Sequence, residues 1–484
     1  EIEKLYNKIG PEDTIKLYQW LFDDYCPELP EGKEIKDYKK LEEIISQKRK
    51  DAIQSIKNEL GINGIIKLAV QTKNPQLVGI TLAEFYLTDE EERILFSFLD
   101  SNEQNKISLV QSYIGQKSFK NGDVFVTKVA GDAISEKWSS EKVVNLFLSL
   151  PQNKKVWSLL ENFNLEIQQG YWEKVNPLLF DSTTEDKLYI LEQLIRVKRH
   201  FTALGTAAMF KGEIAPKLVF QLLMKAALEE SKDNFNIVNS WDIEELFKII
   251  DGSEEITKDE IAQLEWLYLP ILARVGGRRP PKMLHQELSE NSEFFAEVIR
   301  YVYMPKNKDT EEEKELSEEL KQKRAHFSWE LLNSWKIIPG SDGSGKIDYN
   351  KLKTWVDKAR KLCKEADRLE FCDIHIGKVL AHAVKDKNDN WPPEEVCKII
   401  EEIGSKELVD GFISGIYNKR GIVSKAPFEG GKQEHSLAER YRNHANNLST
   451  KFTKISAILK IVAKIYENEA KREDKEAEKR NLEW

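Results

Sequence analysis

The sequence predicts an all-α protein: an α-solenoid-like array of antiparallel helix pairs, of the degenerate HEAT or TPR type, followed by a smaller C-terminal helical unit. Three observations predict it. Apolar residues recur at helical spacing, as in "APKLVFQLLMKAALEE", where Leu218/Val219, Leu222/Leu223 and Ala226/Ala227 repeat every four residues and lay one stripe along a helix. Hydroxyl residues followed three positions later by Glu mark helix starts at Thr88 with Glu91, Thr257 with Glu260 and Ser436 with Glu439. The composition, 40% apolar and 32% charged over 484 residues, suits amphipathic helices with solvated outer faces and exceeds the usual size of one domain.

The chain opens at "EIEKLYNKIG" with no Met and already reads as helix, so residues 1–60 are expected to form an N-terminal helical segment within a longer polypeptide. Residues 61–303 carry the helical-repeat-like domain. Stripes in "EKVVNLFLSL", "DKLYILEQLIRVKRHF" and "DIEELFKII" are separated by short connections, the spacing of antiparallel helix pairs. No tetratricopeptide or ankyrin letters recur at a fixed period. HEAT-type repeats would show none, and an irregular helical bundle is the alternative. "DVFVTKVAG", Asp123 to Gly131, is the one alternating β-branched run, and without a partner strand it reads as helix or extended loop. Residues 304–325 have hardly any apolar side chains and read as a charged linker before a C-terminal helical domain over 326–484. The final "ENEAKREDKEAEKRNLEW" has little to bury and is expected to extend into solvent.

Charge and cysteine usage narrow the function classes. Lys and Arg total 73 against 82 Asp and Glu, a net charge of -9, so the global balance does not advertise a nucleic-acid or membrane binder. Four cysteines in so long a chain do not make a disulfide framework, and a reducing, cytoplasmic setting fits them. No stretch approaches the roughly 20 apolar residues needed to cross a bilayer.

"SDGSGKID" is the strongest imitation of a chemical motif. Placing Gly345 at the sixth position of an EF-hand loop puts Ile347, Asp342 and Ser344 correctly, but Gly340 falls at the first position and Lys351 at the twelfth, where carboxylates must grip the cation. The segment therefore reads as a chain reversal after Pro339 and Gly340, with Asp348 or Asn350 capping the helix that follows. Cys363, Cys372, His375, His382 and Cys397 supply only one tight ligand pair where a structural zinc site shows two, and His375 and His382 share a helix face where buried, hydrogen-bonded histidines are common. There is no nucleophile elbow, HExxH or phosphate-binding loop. No catalytic residue, metal, cofactor or small-molecule ligand is expected, and the chain is not expected to be an enzyme.

Two basic loops are candidates for partner contact. "ARVGGRRPPK" sets Arg274, Arg278 and Arg279 around two glycines; "YNKRGIVSKAPFEGGKQEHSLAERYRNHA" places Arg420 before a helix carrying Arg440 and Arg442. Arginine forks onto carboxylates and phosphates, so these loops suit an acidic protein or a nucleic-acid backbone, unless the chain's own carboxylates occupy them. Of eleven tryptophans most fall in apolar stripes, including Trp329, Trp335, Trp355 and Trp391. Trp172 is carried forward as a partner-binding anchor.

The segments "YWEKVNPLLF", "AQLEWLYLPIL", "FFAEVIRYVY", "SWKIIPGSDGSGKIDYNKLKTWVDKAR", "IGKVLAHA", "NKRGIVSKAPFEGGKQEHSLAERYR" and "YENEAKREDKEAE" resemble the C-terminal half of a group of large, poorly characterised bacterial proteins. Some of that group carry an N-terminal helix-turn-helix or other effector domain, and some are associated with defence against phage. The likeness covers roughly Tyr171 to the end and transfers no functional residue. It implies a helical sensing or scaffolding region of a longer cytoplasmic chain. The expected function is a non-enzymatic scaffold or sensor that binds a protein partner; the alternative is a nucleic-acid-binding regulatory region using the basic loops.

Overall fold

The computed structural model describes residues 11–29, 37–177, 183–210, 213–230, 232, 239–274, 276–305, 317–387, 389–421, 423–426 and 428–483. Among these the protein is an all-α array of 24 helices with no strand. An isolated antiparallel bridge joins Ser341 to Ile347. No helix among the described residues is long and apolar enough to cross a membrane.

The helix starts follow the local chemistry. At Thr88 and Thr257 the hydroxyl accepts the backbone N–H of Glu91 and Glu260, and each carboxylate accepts the cap's own N–H. The pairing expected of Ser436 and Glu439 does not form. The helix Lys432–Leu448 begins a full turn earlier, leaving Ser436 in its interior, because Asp474 accepts the backbone N–H of Gly431 at 2.8 Å and fixes the start there. The alternating run at Asp123 to Gly131 is helical, within Gln104–Ser135. Within the run Phe125, Val126, Val129 and Ala130 are buried, a period of three to four rather than two.

Two compact units divide the chain, one spanning 1–214 with 229–238, the other 215–228 with 239–484. In the first unit the helix Tyr38–Gln71 packs against Pro75–Leu82 and Gln104–Ser135. Both long helices bend at a glycine: Gly61 has φ 63° and ψ -160°, and Gly122 has φ 58° and ψ -147°. Only glycine adopts such a backbone cheaply, so each long helical pattern splits into two segments at that residue. Farther along, Trp157 lies 5.6 Å from Trp172 and stacks on Tyr189 at 5.3 Å.

Within the second unit a large hydrophobic cluster gathers residues from Leu269 to Tyr466. Helix Ser292–Val302, before the charged stretch 304–325, packs on Glu318–Ser334, which begins inside it, and both contribute to this core; residues 306–316 lie outside the described residues. Helices Leu369–Leu380 and Lys406–Arg420 cross at Gly377 and Gly411, where backbone meets backbone. The mixed-charge end of the chain does not extend freely into solvent. Within the helix Thr453–Glu483, Ala470 is buried against Gly431, and Asp474 lies 2.8 Å from His435 Nε2. A glycine and an alanine suffice for close packing there, which is why a stretch with few large apolar residues still docks.

Candidate functional site

The glycine-rich segment that imitates a calcium loop forms a tight hairpin. The Asp342 carboxylate accepts the backbone N–H of Ser344 at 2.9 Å and of Lys346 at 3.0 Å, and Gly340 turns the chain at φ 76°. Asp348 caps Tyr349–Glu365 by accepting from Asn350 and Lys351. In both Asp342 and Asp348 one carboxylate oxygen, Oδ1, is thus engaged by two backbone amides.

This hairpin is one wall of an open groove of about 1770 Å³, whose other walls come from Lys282–Glu290, the start of Ser292–Val302, and the first turns of Tyr349–Glu365. Lys336, Lys346 and Lys351 project from its lining, and none has a carboxylate within 4 Å among the described residues. Lys282 and Lys358, on the same lining, are instead paired with Asp251 and Glu293. His382 borders the groove, and its imidazole has no hydrogen-bond partner among the described residues; burial, with Lys419 and Lys336 nearby, pushes it down to about 4, so it is neutral at pH 7. The three lysines and His382 were not among the residues the sequence singled out as partner contacts. The one signal was the density of lysines flanking "IIPGSDGSG".

The arginine loops are arranged differently. Arg279 is 1% exposed: its Nη2 and Nε reach both oxygens of Asp251, its Nη1 lies 2.6 Å from Glu265, and its guanidinium lies 4.5 Å from the centre of the Phe247 ring. It holds the loop to the core and is not at the surface. Arg274 and Arg278 are exposed; Arg274 donates to Pro270 O, and the Arg278 backbone N–H donates to Glu244. Arg420 pairs with buried Glu434, which Lys425 also contacts at 2.8 Å. Arg442 lies 3.5 Å from Glu467, and Arg440 lies over Tyr441. Trp172 is 4% exposed, and its carbonyl accepts from Arg199, so the aromatic cluster of the first unit encloses it. Trp335, Trp355 and Trp391 are buried, while Trp329 is half exposed.

Among the described residues no three His, Cys, Asp or Glu side chains come together as metal ligands. Cys363, Cys372 and Cys397 are buried free thiols, and the neighbouring Cys363 together with burial raises the Cys372 thiol. His375 Nε2 lies 2.8 Å from the Tyr303 hydroxyl, and His285 Nε2 lies 3.0 Å from Ser334 Oγ. Burial pushes both imidazoles down to about 3, with Lys378 assisting at His375 and Lys336 and Arg279 at His285.

That burial predicts a pH dependence. In the unfolded chain these groups take up a proton near 6.5, whereas in the folded protein they resist it, so the unfolded state binds more protons below that pH. Their contribution is full above about pH 6.5 and declines as pH falls toward the folded values, by about 1.4 kcal/mol per pH unit for each histidine. Urea unfolding followed down to about pH 5 should show this slope, and His375→Gln should make it shallower. An identical slope in that variant would contradict neutral burial of His375.

No family model, no curated protein and no solved structure matches the chain.

Proposed function

We propose that the chain is a non-enzymatic helical scaffold or sensor region that binds a protein partner and relays that binding to an effector elsewhere in a longer polypeptide. The observation that supports this over nucleic-acid binding is how the candidate arginines are used. Arg279, Arg420 and Arg442 meet Glu265 and Asp251, Glu434, and Glu467 of the same chain, so half of the proposed phosphate contacts are spent internally. The large, lysine-bearing groove of the second unit adds a surface on which a partner can dock. The resemblance to large bacterial proteins, some associated with phage defence, suggests where to look for that partner.

The test is an affinity capture with the tagged chain from bacterial lysate, with and without phage infection, split into nuclease-treated and untreated halves. A defined protein retained at stoichiometric level after nuclease treatment is the expected result. Nucleic acid retained in a salt-sensitive manner, with no protein partner, would overturn the proposal in favour of a nucleic-acid-binding regulator.

A further inference from the structure

The groove beside the hairpin has a size, a charge pattern and a set of unspent polar groups that together specify a ligand class. Its volume of about 1770 Å³ exceeds the roughly 300–1,000 Å³ of small-molecule pockets, so it suits a segment of polymer. Three of its four carboxylates are engaged by backbone amides or a lysine of the chain itself, Glu290 being the one without a backbone-amide or lysine partner among the described residues. Asp342 and Asp348 accept backbone amides, and Glu293 is paired with Lys358. Of its five lysines, Lys282 and Lys358 are paired, whereas Lys336, Lys346 and Lys351 are exposed and without a carboxylate partner among the described residues. Trp355 also lines the groove at 6% exposure, and its indole N–H has no acceptor among the described residues.

We propose that this groove binds an extended acidic peptide segment of a protein partner, whose carboxylates meet Lys336, Lys346 and Lys351 around the hairpin. The inference rests on the scaffold reading above and goes beyond it by naming the surface and the chemistry of the segment. A nucleic acid fits the same surface less well. Its charge is uniform along the strand, so some phosphates would fall against Glu290, Glu293, Asp342 and Asp348, which also line the groove. A peptide can place its carboxylates opposite the lysines and neutral or donor groups opposite the carboxylates.

The test uses the full chain and fluorescence anisotropy with labelled peptides rich in Glu and Asp, a Lys-rich peptide set, and a labelled single-stranded oligonucleotide. The wild type is expected to bind the acidic peptides, more weakly as ionic strength rises. The triple variant K336E/K346E/K351E should weaken that binding by at least about tenfold. All three side chains are exposed, so the fold should survive, which circular dichroism and the unfolding midpoint will check. The control K361E/K364E/K460E makes the same charge change at exposed lysines outside the groove lining and should leave binding unaltered. Failure of the wild type to bind acidic peptides would overturn the proposal, as would an equal loss in the control or preference for the oligonucleotide. Repeating the affinity capture with the triple variant separates this inference from the broader one. A partner retained equally by both forms removes the groove and leaves the scaffold reading standing.

Discussion

Glu265→Ala is expected to destabilise the protein by about 3–5 kcal/mol, the cost of leaving a buried charge without its partner. Glu265 is fully buried and sits 2.6 Å from the Arg279 guanidinium, while its other oxygen accepts the backbone N–H of Leu284 at 2.9 Å. Removing the carboxylate strips one of two counter-charges from an arginine that stays protonated, and leaves a buried amide unsatisfied. The two acids are not equivalent. Burial raises the Glu265 carboxyl above its ordinary value, Arg279 pulling the other way without prevailing. Burial works in the same sense on Asp251, but Arg279 and Lys282 hold that carboxyl below its ordinary value. Glu265→Gln keeps the shape and the acceptor and should cost less than Glu265→Ala. Urea unfolding monitored by tryptophan fluorescence measures both; a loss under about 1 kcal/mol for Glu265→Ala would mean that water reaches the pair and screens it.

The second large effect is expected at the crossing of Leu369–Leu380 and Lys406–Arg420. A Cβ added at Gly377 would lie 2.1 Å from Leu408 O, and one at Gly411 would lie 2.1 Å from Ile374 O. In both cases the obstacle is backbone of a regular helix, which cannot rotate aside as a side chain can. Gly377→Ala and Gly411→Ala should therefore each push the helices apart and cost about 3 kcal/mol, the upper end of overpacking penalties. The usual helix-propensity gain of Ala over Gly, about 1 kcal/mol, should be overwhelmed. Gly343→Ala, at a position with nothing within 4 Å of the added carbon, is the matched comparison and should be nearly neutral. If all three variants unfold at the same urea concentration, the helices do not approach so closely.

The all-α class was legible because it rests on spacing within a few residues. Thr88 with Glu91 and Thr257 with Glu260 state a helix start in four letters, and both form. Ser436 with Glu439 has the same spacing and fails, because the decision is taken by Asp474, some forty residues away in sequence and adjacent in space. Arg279 repeats the lesson for the site. "GGRRPPK" reads as a flexible basic loop, and nothing local reveals that Asp251 and Glu265 close on its guanidinium. The hairpin's role as a chain reversal could be read from the Lys at the twelfth position of a would-be calcium loop. The groove it borders could not, since its lining is gathered from residues between 282 and 384.

The two amides that Asp342 gathers also bear on the entropy of recognition. A glycine-containing loop ordinarily samples many conformations and must surrender them when a ligand arrives. Here the carboxylate, the Ser341–Ile347 bridge and the Asp342–Gly345 turn have already removed that freedom in the unbound chain. A segment docking against it bears its own ordering cost but little of the loop's, so modest contact with three lysines can suffice for useful affinity.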